Sequence, residues 1–308
     1  MAQLIKLIDY ISRYETNPFH YPTQYIRLKQ ENWRQVYERW EKELEKEVET
    51  STAQDKDETK KRFFGWNPFQ FKTEQTDIEK EVHHLPRTKQ QLMQLFLNEL
   101  YPFQLKWATS TLTQISYTDQ KFNNDRTLKQ FLQRLPDIYL LMYYPIFNIK
   151  NAPIDGDIIL ISPIGIDIIH IIKGTSNTIF ASNERTWTIE KNNNSSKIIS
   201  PLLSLKRTEQ IVKSILNKHK IDFSINKTVL AKHSSIVFTN EPYQTTLIGM
   251  DEYTTWLEGK RQLSSPLKNV QLKAMEALLM YCQSTSVQRP EWEKDDDYMT
   301  PATFKEEE

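Results

Sequence analysis

Glycine is scarce in this sequence: only six of the 308 residues are glycine, against a usual share of about 7%. Dinucleotide-binding folds and phosphate-binding loops need clustered glycines, because the backbone must approach a phosphate closely. Neither G-x-G-x-x-G nor G-x-x-x-x-G-K-[ST] occurs, so we exclude both kinds of site. Gly156, Gly165 and Gly174 lie within one short segment, which indicates a local backbone requirement there.

Cysteine and long apolar runs are also nearly absent. Cys282 is the sole cysteine, so an intramolecular disulfide and a cysteine-rich metal site are excluded. No apolar run reaches the roughly 18 residues of a membrane span, and we expect no membrane partner. Charges at Lys6, Asp9 and Arg13 predict that the first residues are no signal peptide. We therefore expect a protein of the reducing cytoplasm.

Acidic and basic residues balance overall, with 40 of each, so no net field attracts nucleic acid or an anionic membrane. The balance is uneven along the chain, because residues 291–308 are strongly acidic. The remainder carries a small positive excess, which favours a polyanionic over a cationic partner. We expect residues 285–308 to form an acidic, disordered tail.

An amphipathic helix is predicted over residues 24–50, because Trp33, Tyr37, Trp40 and Leu44 recur at helical spacing. Its apolar stripe either packs on the rest of the protein or binds a protein partner, and the sequence leaves both open. The polar residues 50–62 that follow predict an exposed loop or linker.

Five aromatic side chains lie within residues 63–71, directly after Lys60, Lys61 and Arg62. Aromatic rings beside cations are suited to stack on nucleobases, which makes these three cations and Trp66 candidate nucleic-acid-binding residues. Packing of the same aromatic side chains in a core is the alternative.

Helices and strands alternate further along the chain. Apolar periodicity predicts helices at 87–116 with a break at Pro102, at 125–135, from Pro201 onward, at 251–258, and at 266–282 with Ser265 as N-cap. β-Branched and aromatic runs predict strands at 138–144, 157–162, 166–173, 178–181, 185–190, 228–231 and 235–239. Pro163 and Gly165 predict a tight turn that joins 157–162 to 166–173 as a hairpin.

These patterns divide the chain and indicate its fold class. We predict a mainly α-helical region at 1–118, an α/β domain at 119–262, a C-terminal helix at 263–284 and the acidic tail. The expected architecture is α/β, with a mixed sheet flanked by helices.

The central segment resembles the nuclease-related domain family, which has a restriction-endonuclease-like fold. The shared landmarks are Leu135-Pro136-Asp137-Ile138-Tyr139, Asp157, the turn Ser162-Pro163-Ile164-Gly165, Gly174, Trp187 and Pro201-Leu202-Leu203. The similarity covers residues 121–220. It implies a restriction-endonuclease-like mixed sheet and a nuclease that holds Mg²⁺ with carboxylates.

The resemblance also assigns roles to particular residues. Asp157 matches the family's metal-binding aspartate, and Asp125 keeps a carboxylate near the family's helix-opening glutamate, so both are candidate metal ligands. The family's Glu-x-Lys falls on His170 and Ile172, which leaves Asp125, Asp157, His170 and Lys173 as the candidate catalytic set. Mg²⁺ prefers oxygen ligands and Ile172 has no charge. We therefore predict no Mg²⁺-dependent cleavage and no cofactor, with Mg²⁺ or Mn²⁺ as the cofactor if the site is active.

Lys206 and Arg207 are further candidate nucleic-acid-binding residues, because cations near a helix N-terminus suit phosphate. Three hypotheses for function follow. The first is a pseudo-enzyme of the nuclease-related type that acts as a nucleic-acid-binding or interaction module, with DNA or RNA as its partner. The second is an active metal-dependent nuclease whose site has migrated. The third is a scaffold or regulatory protein that acts through the helix at residues 33–44.

Overall fold

The computed structural model describes residues 1–51, 86–174, 178–182, 185–191, 194–238 and 242–289. Its helices are α1 (Arg13–Thr16), α2 (His20–Ser51), α3 (Lys89–Trp107), α4 (Arg126–Arg134), α5 (Pro201–Lys218), α6 (Met250–Gln262) and α7 (Asn269–Leu279), with a 3₁₀ turn at Gln120–Asn124. Its strands are β1 (Gln3–Leu7), β2 (Gln114–Ile115), β3 (Leu140–Tyr143), β4 (Ile146–Ile149), β5 (Ala152–Asp155), β6 (Ile158–Ser162), β7 (Gly165–Ile171), β8 (Thr178–Ala181), β9 (Thr186–Lys191), β10 (Asn194–Ile199), β11 (Ile225–Leu230), β12 (Ser235–Phe238), β13 (Thr245–Ile248) and β14 (Val287–Gln288).

Some features predicted from the sequence lie outside these residues. They are Lys60, Lys61, Arg62, Trp66, residues 52–62 of the polar loop and the tail from residue 290 onward. The chain divides into two compact units: one joins residues 1–19 to the chain from residue 105 onward, and the other is His20–Gln104. No helix within the described ranges is both long and apolar enough to cross a membrane.

A six-stranded mixed sheet forms the core of the first unit, in the order β1-β3-β6-β7-β11-β13. β6 is antiparallel to β3 and β7, whereas β1 is parallel to β3 and β11 is parallel to β7 and β13. The central strands are nearly continuous isoleucine and leucine runs that are buried, as expected for a sheet covered on both faces. Helices α5, α6 and α7 pack on it. The predicted fold class, a mixed sheet flanked by helices, is confirmed, and the restriction-endonuclease-like detail stays a prediction.

The predicted hairpin is confirmed as β6 and β7. Ser162 pairs with Gly165 across the turn, and the Ser162 hydroxyl donates to the Gly165 carbonyl over 2.8 Å. A Cβ atom on Gly165 would lie 2.9 Å from the carbonyl oxygen of Ser224. Glycine is therefore needed here, because the chain leading into β11 passes directly over the turn.

A second sheet contains four strands in the order β10-β9-β8-β12. Trp187 of β9 is fully buried, and its indole N–H donates to the carbonyl of Ser182 over 2.8 Å. The tryptophan that contributes to the family resemblance is thus a core residue of this sheet.

The strand β1 is a feature that the sequence patterns do not predict. It pairs in parallel with β3 at the edge of the six-stranded sheet, and all five of its residues are buried. Gln3 and Lys6 interrupt its apolar pattern, yet both side chains are satisfied internally. Lys6 Nζ lies 2.6 Å from Glu15 Oε1 and 2.6 Å from Ser284 Oγ, which fixes β1 to the segment that follows α7.

The predicted break at Pro102 and the predicted helix that follows it are wrong. Helix α3 runs through Pro102 and ends at Trp107. The hydroxyl of Thr109 donates to the carbonyl of Leu105 over 2.8 Å, and that of Ser110 donates to the carbonyl of Lys106 over 2.7 Å. These side chains satisfy the last carbonyls of the helix and end it.

The last helix begins later than the sequence predicts. Lys268, rather than Ser265, is the N-cap of α7, and the Gln271 side chain accepts from the Lys268 N–H over 3.4 Å. Gln271 is fully buried, and its amide donates to the carbonyls of Ile138 and Ile161 over 2.6 and 3.1 Å. Tertiary hydrogen bonds to the sheet thus set the start of this helix.

The second unit contains α2 and most of α3. The ring of Trp33 lies 5.2 Å from that of Phe96, and the indole of Trp40 donates to the carbonyl of Pro86 over 2.6 Å. Part of the aromatic stripe therefore packs within this unit. That a protein partner binds at residues 33–44 stays a prediction.

Candidate functional site around Asp157

Asp157 lies directly before β6, and its side chain is 4% exposed. The preceding residue, Gly156, donates its N–H to the carbonyl of Pro145 over 2.8 Å. A Cβ atom on Gly156 would lie 2.9 Å from Cε2 of Phe147. Glycine therefore lets the chain pass this ring and places the Asp157 side chain at the entrance to the hairpin.

Three side chains lie within hydrogen-bond distance of the Asp157 carboxylate oxygens. Nδ1 of His170 lies 2.7 Å from Oδ1, and Oδ2 accepts from the hydroxyls of Ser204 and Thr208 over 2.9 and 3.0 Å. The Asp157 N–H in turn donates to the Thr208 hydroxyl over 3.1 Å. A buried carboxylate is tolerated when it is hydrogen-bonded in this way, and both oxygens are engaged here.

The register of the hairpin brings His170 to Asp157. Ile158 pairs with Ile169, so the residue before β6 comes opposite His170. Asp167, three residues earlier on β7, instead lies 2.5 Å from Nζ of Lys260 on α6. The two faces of β7 thus carry different polar contacts, as strand alternation requires.

The contact with Asp157 also assigns the protons of the His170 ring. An ionised carboxylate can only accept hydrogen bonds, so beside such a carboxylate Nδ1 is the donor, and the tautomer of a neutral ring that fits this contact has its lone pair on Nε2. The side chain is 32% exposed, which leaves the imidazole partly accessible. An imidazole held by a buried carboxylate is an arrangement suited to a general base.

Asp125 is held by local contacts of its own. Its Oδ1 accepts from the N–H groups of Thr127 and Leu128 over 2.8 and 3.0 Å and so caps α4. Its Oδ2 accepts from the Tyr143 hydroxyl over 2.9 Å. The carboxylate that the resemblance assigns to metal is thus fully used as a helix cap and as a partner of Tyr143.

Tyr144 lies close to both carboxylates. Burial, together with the negative charges of Asp157 and Asp125, raises the pKa of Tyr144 to about 12. The phenol therefore stays neutral and keeps its proton. Its backbone φ is 49°, in the left-handed region that is unusual for a bulky residue. Strained backbone of this kind clusters at functional sites.

The other candidate residues that the structure describes, Lys173, Lys206 and Arg207, are exposed. Lys206 and Arg207 are exposed on α5, and Nη2 of Arg207 lies 3.4 Å from the Ser204 hydroxyl. Lys173 is exposed beyond the end of β7.

The sequence patterns do not identify three residues of the site: Thr208, Tyr143 and Tyr144. The spacing of Ser204 and Thr208, one turn apart on a predicted helix, is the signal that could have identified Thr208.

The residues present do not fit the Mg²⁺ site that the resemblance implies. Asp157 gives both oxygens to protein donors, and His170 and Ile172 occupy the positions of the glutamate and lysine. Mg²⁺ requires oxygen ligands in near-octahedral geometry. A cation would first have to displace His170 from Asp157.

Comparison with known proteins shows a similarity confined to a short segment of the chain. No family model matches the chain, and no solved structure matches it. A 43-residue segment is 60% identical to an RNA 2′,3′-cyclic phosphodiesterase of Geobacillus stearothermophilus. The matched segment covers 14% of this chain and 14% of that protein. This similarity is local, and the nuclease-related family remains a resemblance.

Proposed function

We propose that this chain binds RNA beside the β6–β7 hairpin and does so without Mg²⁺-dependent cleavage at Asp157. The observation that carries the proposal is that both oxygens of the Asp157 carboxylate have protein partners: Nδ1 of His170 lies 2.7 Å from Oδ1, and the hydroxyls of Ser204 and Thr208 donate to Oδ2. A carboxylate whose oxygens both have protein partners is suited to orient an imidazole and not to bind a metal ion.

Two exposed cations support a phosphate ligand at this place. Lys206 and Arg207 lie on α5, the helix that also supplies Ser204 and Thr208 to Asp157. A guanidinium binds phosphate oxygens through paired N–H donors, and such contacts position a nucleic acid on a protein. The zero net charge of the chain is consistent with a local site rather than a broad basic surface.

The choice of RNA as the class of nucleic acid is supported by the similar segment in an RNA 2′,3′-cyclic phosphodiesterase. The substrate in the name of that protein is RNA, and a 43-residue segment of this chain is 60% identical to it. DNA is the alternative, and the same binding measurement compares the two.

Charge reversal at Arg207 tests the proposal. We expect Arg207→Glu to weaken binding of a fluorescent single-stranded RNA about tenfold and to reduce the salt dependence of log Kd by about one phosphate contact. Fluorescence anisotropy over a range of salt concentrations measures both quantities. Arg261→Glu is the matched control, because Arg261 is exposed on α6, next to Lys260, which contacts the opposite face of β7.

Equal RNA affinities of Arg207→Glu and Arg261→Glu would contradict the proposal that RNA binds beside the β6–β7 hairpin. In a second experiment, the wild-type chain and Asp157→Asn are incubated with single- or double-stranded nucleic acid in the presence of Mg²⁺ or Mn²⁺. Metal-dependent cleavage that disappears in Asp157→Asn would favour the active nuclease over this proposal.

A further inference from the structure

We infer that His170, oriented by Asp157, is a metal-independent general base that activates the ribose 2′-hydroxyl next to a bound phosphodiester. The inference deepens the proposed function and rests on it, because it concerns RNA bound at the same site. It identifies the substrate class as single-stranded RNA with a free 2′-hydroxyl.

The geometry of the Asp157–His170 pair orients the imidazole. The carboxylate of Asp157 is buried, and Oδ1 lies 2.7 Å from Nδ1 of His170. This contact fixes the orientation of the ring, and in the neutral tautomer that donates from Nδ1 the basic nitrogen is Nε2. The hydroxyls of Ser204 and Thr208 hold the other carboxylate oxygen. The base is therefore positioned by two elements, the hairpin and α5, before any substrate binds.

The partners of Asp157 favour a nucleophile that the substrate itself carries, because His170, Ser204 and Thr208 engage both carboxylate oxygens. A weak nucleophile reacts faster when it is held next to phosphorus. The ribose 2′-hydroxyl is attached to the carbon next to the one that carries the phosphodiester, and such intramolecular nucleophiles react with a high effective concentration. An imidazole can supply the remaining requirement, which is removal of the hydroxyl proton.

A cation lies near the Asp157–His170 pair. Nη2 of Arg207 lies 3.4 Å from the Ser204 hydroxyl, which itself donates to Asp157. The guanidinium is therefore separated from the Asp157–His170 pair by one side chain. A fixed cation near the phosphate stabilises the extra negative charge that forms on its oxygens during substitution.

The reaction balances with these groups and water. Nε2 of His170 takes the 2′-hydroxyl proton, the 2′-oxygen forms a bond to phosphorus, and the bond from phosphorus to the 5′-oxygen breaks. The departing 5′-oxygen takes a proton from water, and the imidazolium returns its proton to the resulting hydroxide. The products are a 2′,3′-cyclic phosphate end and a 5′-hydroxyl end, with no oxidant, reductant or metal consumed.

The test uses the full chain in the presence of EDTA with a labelled single-stranded RNA, and with DNA of the same sequence. We expect cleavage of the RNA to cyclic phosphate and 5′-hydroxyl ends, and no cleavage of the DNA. His170→Asn should lower the rate at least about 100-fold, because the asparagine amide can still donate to Asp157 but offers no basic nitrogen. His233→Asn, at an exposed histidine after β11, is the matched control and should cleave at the wild-type rate.

Binding of a 2′-O-methyl RNA separates the two proposals, since this analogue can bind but cannot react. We expect wild type and His170→Asn to bind it with Kd values within about twofold. Binding without cleavage, or equal cleavage rates for wild type and His170→Asn, would overturn the general-base inference alone. A lack of binding to any RNA would overturn the proposed function as well.

Discussion

Replacing His170 by glutamate is expected to lower the free energy of unfolding by about 3 kcal/mol in EDTA at neutral pH. The substitution removes the donor that lies 2.7 Å from Oδ1 of Asp157 and places a second negative charge beside a buried carboxylate. Two neighbouring carboxylates repel, and one of them must bind a proton or a cation.

The same substitution is expected to make the stability depend on a divalent cation. Glutamate at this position restores a second oxygen ligand beside Asp157, which is the ligand type that Mg²⁺ and Mn²⁺ prefer. A cation at about 100 times its Kd would return about 2.7 kcal/mol to the folded state. Urea unfolding with and without the cation measures this recovery.

His170→Asn is the control for this experiment, because its side-chain amide preserves a donor to Asp157 without adding charge. We expect its stability to be independent of Mg²⁺ and Mn²⁺. If His170→Glu also unfolds at the same urea concentration with and without either cation, His170 is not what keeps metal from Asp157.

The second large effect concerns Lys6, whose side chain is fully buried. We expect Glu15→Gln to lower the free energy of unfolding by about 3 kcal/mol. Nζ of Lys6 lies 2.6 Å from Glu15 Oε1, and removal of this carboxylate leaves a buried cation without its counter-charge. Urea unfolding followed by tryptophan fluorescence measures the loss.

A double substitution distinguishes the lost charge pair from other causes. Lys6→Met with Glu15→Gln should recover to within about 1 kcal/mol of the wild type, because the buried charge and its partner are removed together. Glu38→Gln is the matched control at an exposed pair with Arg34, and it should cost less than about 1 kcal/mol. A double variant no more stable than Glu15→Gln would contradict a charge-based explanation.

The hairpin shows how far local sequence can locate a site. Pro163 and Gly165 predict the turn between two apolar strands, and the turn sets the register. Counting back from the pairing of Ser162 with Gly165 places Asp157 opposite His170. The pairing of these two side chains could therefore be predicted from the sequence, given the turn.

The other parts of the site depend on tertiary contacts that no local pattern specifies. Ser204 and Thr208 reach Asp157 because α5 packs on β7, and a helix pattern does not state which strand it covers. Likewise, the charged Lys6 interrupts the apolar residues of β1, so the sequence pattern does not predict a buried strand there. The partners of the buried Lys6 side chain, Glu15 and Ser284, lie outside β1 in other parts of the chain.

The central claim is that Asp157 holds Nδ1 of His170 and leaves no place for a metal. The ¹⁵N NMR signals of the His170 ring, recorded with and without millimolar Mn²⁺, test it directly. We predict a protonated Nδ1 and an unprotonated Nε2 in the neutral ring, with no more broadening by Mn²⁺ than at exposed His233. A free Nδ1, or selective broadening at His170, would contradict it.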